Sequence, residues 1–150
     1  MKIFLGADHR GFELKEKIKK WLSEWKFEYE DMGAFEYNKD DDYPDFAQKV
    51  AENVASNPEQ NRGVLVCGSG VGVAIAANKI KGIRAGTAIN AKQIKDSVSD
   101  EDTNVLAISA DYVSEKDAME IVKSFLNTKF SGEERHVRRI NKINKIEIGV

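Results

Sequence analysis

Three observations in the sequence predict an α/β protein with a doubly wound, Rossmann-like sheet. Short strand-like runs alternate with helix-like runs along the whole chain, which is typical of parallel strands joined by helices. The run Val64–Val66 is apolar without alternation, as in a strand covered on both faces. A length of 150 residues with 41% hydrophobic content suits one domain with a substantial core. We therefore predict one domain over residues 1–150, a three-layer αβα sandwich with a five-stranded parallel sheet and an extra C-terminal helix.

The first half of the chain supplies two strands and two helices. We identify strands by their composition and helices by an apolar stripe at helical spacing. Proline suits the first turn of a helix and marks where one begins. These signals predict a strand at 2–7, a helix at about 11–25, a strand at 27–31, a polar loop at 36–43, and a helix that begins near Pro44 and is broken at Asn57-Pro58.

The second half continues the alternation and completes the sheet. Its predicted elements are a strand at 63–67, a helix at about 72–80 stopped by Gly82, a strand at 83–88, a short helix at 91–98, a strand at 105–108, and a helix through 118–126. Ser114 and Asp117 resemble a capping box at the start of that helix. Five strands are thus complete by about residue 127.

The segment 132–150 is surplus to a doubly wound domain. It carries five basic residues without an acid between the first and the last: Arg135, Arg138, Arg139, Lys142 and Lys145. Val137, Ile140 and Ile143 give it a narrow apolar edge. Two interpretations stay open, a helix that packs on a partner subunit and carries its arginines there, or a solvated helix on its own domain. The first predicts a homodimer or homotetramer.

Composition excludes several classes of protein and partner. A net charge of −2 gives no reason to propose nucleic acid or an anionic membrane as a partner. A single cysteine excludes an intrachain disulfide and a multi-thiolate zinc cluster, and we predict no metal site. The chain enters a strand directly after Met1-Lys2, with no secretory signal pattern and no apolar run long enough to span a membrane. We expect a cytoplasmic protein.

The only cysteine stands where a buried strand meets a glycine-rich loop, Cys67-Gly68-Ser69-Gly70-Val71-Gly72. A dinucleotide fingerprint fails because Val73 occupies the place of its third glycine. A phosphate P-loop fails because the loop has no lysine, and a cysteine-phosphatase loop fails because the first cation after the thiol is Lys79. What remains is a set of backbone N–H groups that can stabilise a developing oxyanion beside a thiol, with the helix terminus favouring the thiolate. The alternative is a small buried hydrophobic residue.

A second polar segment, Gly6–Gly11, also lies between a strand and a helix. Asp8 and His9 in this segment could be a helix cap and a solvated loop residue. Strands one and three are neighbours in most doubly wound sheets, so both side chains are expected beside Cys67. Together they predict a polar cleft that suits a phosphate.

The combined motifs resemble those of the type B ribose-5-phosphate isomerases, a group that includes the galactose-6-phosphate isomerase subunits. The matching segments cover nearly the whole chain in order: Asp8-His9 with Gly11, Asp42-Tyr43-Pro44, Cys67 to Gly72 followed by Ile75-Ala76-Ala77-Asn78-Lys79, Gly82-Ile83-Arg84, Asp102-Thr103-Asn104-Val105-Leu106, and Arg135-His136 with Arg139.

The resemblance implies aldose–ketose isomerisation of a phosphorylated sugar without metal or organic cofactor. It implies that Cys67 is the base that moves a proton between C1 and C2 through an enediolate, with Ser69 assisting at the hydroxyls. Backbone amides along the loop would stabilise the enediolate, namely those of Gly68, Gly70, Val71, Gly72 and Val73. The other substrate contacts implied are Asp8 and Tyr43 at the sugar, and His9, Arg135 and Arg139, with neighbouring His136, at the phosphate. Some of these would come from a partner subunit, with active sites at the subunit interface.

Asp100 and Glu101 depart from the family pattern. They stand where pentose-phosphate isomerases have a His-Asn pair whose histidine opens the sugar ring. Two carboxylates can still act as acid or base, and we place both among the catalytic candidates and expect them to face Cys67. Ribose 5-phosphate and a related sugar phosphate both remain open as the substrate. A non-catalytic sugar-phosphate-binding or assembly subunit of a hetero-oligomeric isomerase is the alternative function, and a redox-sensing thiol protein is a weaker one.

Overall fold

The computed structural model describes residues Met1–Val150 and contains a five-stranded sheet in which every pairing is parallel. The strands are β1 (Lys2–Ala7), β2 (Glu28–Asp31), β3 (Asn61–Cys67), β4 (Ala85–Thr87) and β5 (Val105–Ser109). They lie in the order β2-β1-β3-β5-β4, so β1 and β3 are neighbours as predicted. The fold class expected from the alternation of strands and helices is confirmed.

Helices cover both faces of the sheet. They are α1 (Phe12–Glu24), α2 (Tyr43–Ser56), α3 (Val71–Ala77), α4 (Ala91–Glu101), α5 (Glu115–Asn127) and α6 (Glu134–Glu147). One apolar cluster joins α1, α4 and α5 to Val64 and Val66, and a second joins α2 and α3 to Leu65. Successive residues of β3 therefore point into two different cores, which explains why its sequence is apolar without alternation.

The boundaries of α3, β4 and α4 differ from the prediction, and β4 is shorter than the predicted strand at 83–88. Helix α3 ends at Ala77 because Asn78 turns the chain, its side chain exchanging hydrogen bonds of 3.0 and 2.8 Å with the backbone of Ala85. Helix α4 continues to Glu101, three residues beyond the predicted end at 98, and stops at Asp102, which has a positive φ of 50°. Asp100 and Glu101 therefore form the last turn of a helix.

Helix α6 packs on its own domain along one side. His136 and Ile140 are buried, and Glu147 accepts a hydrogen bond of 3.0 Å from the Gly82 N–H. A cleft of about 960 Å³ separates the helix from residues at the amino ends of the strands, including Met1 and Arg62. Other apolar residues of the segment stay exposed, namely Val137, Ile143, Ile146 and Ile148. The own-domain interpretation thus accounts for one side of α6, and packing of the other side on a partner stays a prediction.

None of the helices is both long and apolar enough to cross a membrane.

Candidate active site

The site begins at the carboxyl end of β3, where the chain passes into the glycine loop. Cys67 is 5% exposed, and its Sγ accepts a hydrogen bond of 3.2 Å from the Gly70 N–H. Ser69 Oγ accepts one of 3.2 Å from the Val71 N–H. Gly70 has a φ of +75°, a conformation that glycine adopts without strain. Because α3 is only seven residues long, the N–H groups of the loop matter more here than the helix dipole.

The end of strand β5 and the residue that follows it fix the orientation of the peptide groups in this loop. The Cys67 carbonyl accepts a hydrogen bond of 2.9 Å from the Ala110 N–H, and the Gly68 carbonyl accepts one of 2.7 Å from Ser109 Oγ. A trans peptide group points its N–H opposite to its carbonyl, so the N–H groups of Gly68 and Ser69 face away from β5. Neither donates to a protein acceptor. Two preoriented donors are therefore available beside the thiol.

Two side chains lie directly over the glycines of the loop. A Cβ at Gly68 would come within 2.4 Å of the Arg10 guanidinium, which forms an ion pair with Asp111. A Cβ at Gly72 would come within 2.6 Å of the Tyr43 ring. A larger residue at either position would displace the side chain that lies over it. Tyr43, a predicted sugar contact, is thus held at the loop, and Arg10 is a cation that sequence reasoning missed.

Asp8 and His9 lie at the same edge of the sheet as Cys67. In the β1–β3 pairing Ala7 faces Val66, so Asp8 follows next to Cys67. Asp8 Oδ1 accepts hydrogen bonds of 3.0 and 3.1 Å from the N–H groups of Arg10 and Gly11, which fix the turn into α1. The predicted neighbourhood of Asp8, His9 and Cys67 is present in a single chain.

A carboxylate from a distant loop joins this group. Asp41 Oδ1 lies 2.9 Å from the His9 backbone N and 2.7 Å from His9 Nδ1. One ligand atom each of Asp8, His9 and Asp41 lies within 4.8 Å of the others, a set that could hold a metal ion. Asp41 Oδ1 is already within hydrogen-bond distance of two nitrogens of His9, and the absence of a metal stays a prediction. Sequence reasoning placed Asp41 only in the polar loop 36–43 and gave it no role.

The turn that follows β2 is hydrogen-bonded to the end of β1, next to the Asp8–Gly11 segment. Asp31 Oδ1 accepts a hydrogen bond of 2.9 Å from the Gly33 N–H, and the Gly33 carbonyl in turn accepts one of 2.9 Å from the Ala7 N–H. Burial raises the pKa of Asp31, but hydrogen bonds from Lys15 and Lys19 outweigh burial and lower the pKa below its ordinary value. An ionised Asp31 therefore holds the turn next to the start of the Asp8–Gly11 segment.

The remaining predicted site residues lie at the opposite edge of the same chain. Helix α4 runs back from the carboxyl end of β4 to the amino end of β5, so Asp100 and Glu101 lie far along the sheet from Cys67. The expectation that these two carboxylates face Cys67 is wrong within one chain. The helix carries them to the strand starts, where the largest cleft also lies, whereas ligands of open α/β sheets bind at the carboxyl ends.

The basic residues of α6 share that opposite edge. His136 Nδ1 lies 2.7 Å from Ser131 Oγ, and His136 Nε2 lies 3.6 Å from Asp100 Oδ1. His136 is 5% exposed and ties α6 to the end of α4, so in its own chain its contacts are structural. Arg135 forms an ion pair of 3.1 Å with Glu133. The chain thus brings together Asp8, His9, Tyr43 and the loop, but separates them from Arg135, His136 and Arg139.

Comparison with known proteins agrees with this arrangement. The family model described as Ribose/Galactose Isomerase matches residues 3–143. The chain is 40% identical over 145 residues to a probable ribose-5-phosphate isomerase B of Mycoplasma genitalium, an alignment that covers 97% of this chain and 95% of that protein. It is 42% identical over 147 residues to a putative sugar phosphate isomerase of Bacillus subtilis, covering 98% of this chain and 97% of that protein.

Solved structures match the fold along its whole length. Ribose-5-phosphate isomerase B from Mycoplasma genitalium with bound ribulose-5-phosphate has a TM-score of 0.95 at 39% identity, with 99% of this chain and 97% of that chain covered. Ribose-5-phosphate isomerase B of Clostridium thermocellum has a TM-score of 0.94 at 41% identity, with 99% of each chain covered. Sequence motifs, sheet topology and these similarities agree, and the chain belongs to the ribose/galactose isomerase family.

Proposed function

We propose that Cys67 is the general base of this aldose–ketose isomerase. The thiolate takes a proton from the carbon next to the sugar carbonyl, an enediolate forms, and the thiol returns the proton to the former carbonyl carbon. One proton also moves from the hydroxyl oxygen to the former carbonyl oxygen. No electron or group leaves the substrate, so the reaction needs no co-reactant. The observation that carries the proposal is the buried thiol beside the Gly68 and Ser69 N–H groups, which have no protein acceptor.

The free N–H groups of Gly68 and Ser69 can stabilise the negative charge that forms on the substrate oxygen during proton transfer. A proton next to a carbonyl is weakly acidic, so a base is effective only when charge growing on the oxygen is stabilised. One oxyanion donor is typically worth about 100-fold to 1,000-fold in kcat, and a positioned general base about 100-fold to 10,000-fold. The hydrogen bonds from β5 hold the loop donors in place before substrate arrives, so no reorganisation is needed at the moment of proton transfer.

We propose that a second copy of the chain completes the site. Apolar side chains stand exposed around the Cys67 edge, two of them on α3 and two on the loops after β4 and β5: Val71, Ile75, Ile89 and Tyr112. Covering them would bury apolar surface and exclude water from the enediolate. A partner subunit seated there would also bring its own α6, which supplies Arg135 and Arg139 for the phosphate.

The substrate class follows from the site and its relatives. Both named relatives are described as sugar-phosphate isomerases, and one solved relative binds ribulose-5-phosphate. Asp100 and Glu101 would approach the ligand only from the partner subunit, and two carboxylates there disfavour a second negative charge on the sugar. We therefore propose a monophosphorylated aldose–ketose pair, either ribose 5-phosphate and ribulose 5-phosphate or a closely related pair.

A substrate panel with two cysteine variants tests the mechanism. Purified protein is offered pentose and hexose monophosphates, and each aldose–ketose interconversion is followed by NMR. Cys67→Ala should lower kcat for the active pair by at least about 100-fold because the base is lost. Cys67→Ser, which keeps the shape but is a far weaker acid, should lose activity similarly, and circular dichroism should show that both variants fold. Substantial activity in Cys67→Ala would refute the role of the thiol.

Assembly is tested separately. Light scattering should give a mass that is a multiple of the 16.8 kDa chain, and specific activity should fall on dilution as subunits separate. Arg139→Ala protein mixed with Cys67→Ala protein should regain activity, because a mixed pair contains one site with both groups intact. A purely monomeric protein with full activity would contradict the shared site.

A further inference from the structure

The contact between Asp41 and His9 joins two loops that lie 32 residues apart. A single oxygen, Asp41 Oδ1, is 2.9 Å from the His9 backbone N and 2.7 Å from His9 Nδ1. The Asp41 side chain is only 9% exposed and sits in the loop between β2 and α2. Two donors of one residue thus converge on one acceptor, which fixes both the backbone and the ring of His9.

This geometry determines which ring nitrogen of His9 carries a proton. An ionised carboxylate only accepts hydrogen bonds, and its short contact with Nδ1 requires a proton on that nitrogen. The nitrogen left for a ligand is therefore Nε2. The Tyr37 ring meets the imidazole edge-on at 6.2 Å between centroids, and the His9 side chain keeps 24% of its surface exposed. The imidazole is held in one orientation before any ligand binds.

The second oxygen of the Asp41 carboxylate, Oδ2, lies in an environment that is unfavourable for the stability of the fold. Oδ2 is buried and has no hydrogen-bond partner. A buried unpaired carboxylate oxygen destabilises a fold, so stability alone does not account for an aspartate here. With Nδ1–H donated to Asp41, His9 can donate to an anion through Nε2 when that nitrogen also carries a proton. Asp8 is a second carboxylate close to the ring.

We propose that Asp41 is a positioning residue of the site, which orients His9 and presents its Nε2 to the phosphate of the substrate. The proposal rests on the proposed function, with a phosphorylated sugar as substrate, and on the family resemblance, which implies that His9 contacts the phosphate. Asp41 itself need not touch the ligand. Its effect should therefore appear mainly in substrate binding, while proton transfer at Cys67 continues at nearly the same rate in a saturated enzyme.

The state of the ring can be measured without substrate. The chain has two histidines, His9 and His136, so nitrogen-15 NMR spectra of labelled protein contain two imidazoles, and His9→Gln assigns them. At a pH where the rings are neutral, His9 should carry its proton on Nδ1. Asp41→Ala should give a mixture of tautomers, whereas Asp40→Ala, a charge loss at the exposed neighbouring residue, should leave the spectrum unchanged. A wild-type proton on Nε2, or no change in Asp41→Ala, overturns the proposal.

Kinetics test the consequence for the reaction. Asp41→Ala should raise KM by about 10-fold to 100-fold with kcat changed by less than about threefold, as expected for a lost charge-assisted hydrogen bond to a binding group. Asp41→Asn, whose amide oxygen still accepts from the His9 backbone, should fall between wild type and Asp41→Ala, and it also serves if the alanine variant does not fold. An unchanged KM in both variants overturns the proposal. Inactivity of the wild type toward every sugar phosphate would instead refute the proposed function and leave the NMR result standing.

Discussion

Lys15, on α1, is fully buried and its ammonium group is surrounded by carboxylates. Its Nζ lies 2.8 and 2.7 Å from the two oxygens of Asp31 and 3.2 Å from Glu16 Oε1. Lys15→Met keeps a long apolar side chain and removes the charge. The substitution leaves the Asp31 carboxylate, 13% exposed, with Lys19 as its remaining ammonium partner at 2.9 Å. We expect a large loss of stability.

The magnitude follows from the partners that remain. Removing one member of a buried ion pair typically costs about 3–5 kcal/mol. Lys19 still compensates Asp31, and the methionine gains apolar burial, so we expect a loss of about 2–3 kcal/mol in the free energy of unfolding. For a chain of this size that corresponds to a decrease in Tm of about 4–12 °C.

Urea unfolding followed by circular dichroism at neutral pH measures this loss. The matched control is Lys19→Met, which removes an ammonium group from the same carboxylate at a position 25% exposed. Partly exposed pairs contribute little, so the control should lose less than about 1 kcal/mol. Equal losses in the two variants would refute the reasoning, because burial of Lys15 would then have no measurable consequence.

Three further predictions concern glycines and acid stability. Gly11→Ala should destabilise the fold by about 1–3 kcal/mol, because its Cβ would lie 2.4 Å from the Val66 carbonyl oxygen. The control Gly86→Ala, whose Cβ would have no atom nearer than 3.4 Å, should be nearly neutral in the same urea titration. Equal effects of the two substitutions would contradict this. Gly72→Ala should displace the Tyr43 ring and raise KM by about twofold to tenfold, and an unchanged KM would exclude Tyr43 as a sugar contact. Because the pKa of Asp31 lies below its ordinary value of 3.8 in the folded protein, its stabilising contribution is present above that value and lost as pH falls through the lower folded pKa. Tm recorded from neutral to acid pH should therefore fall less steeply in Asp31→Asn, and parallel curves would argue against this role.

The local sequence pattern was enough to predict the layers of the fold and the part of the site formed by β1 and β3. The alternation of strands and helices predicted the parallel sheet, and the neighbouring positions of β1 and β3 placed Asp8 beside Cys67. The position of β5 between β3 and β4 was not predicted, because strand order depends on long-range packing that periodicity does not encode. That position matters, since Ser109 of β5 orients the loop.

Contacts between distant segments account for what sequence reasoning missed. Lys15 looks like a surface lysine on an amphipathic helix, and its burial depends on Asp31 of β2. Asp41 looks like one of several solvated acids, and its contact with His9 appears only when two loops meet. Glu101 was expected at the site because a family position places it there, whereas the longer α4 carries it to the other edge of its own chain.

The lone cysteine gives this protein an internal reporter of local opening. Cys67 is the chain's single thiol and is almost fully buried, so a thiol reagent can label the native protein at one place only, and more slowly than it labels the unfolded chain. The free energy of local opening in a protein ranges from near zero to the free energy of global unfolding. The ratio of the labelling rates of the native protein and the unfolded chain measures this free energy for the glycine loop. Any ligand that settles on the loop should slow the labelling, so binding can be followed without turnover and without an engineered probe.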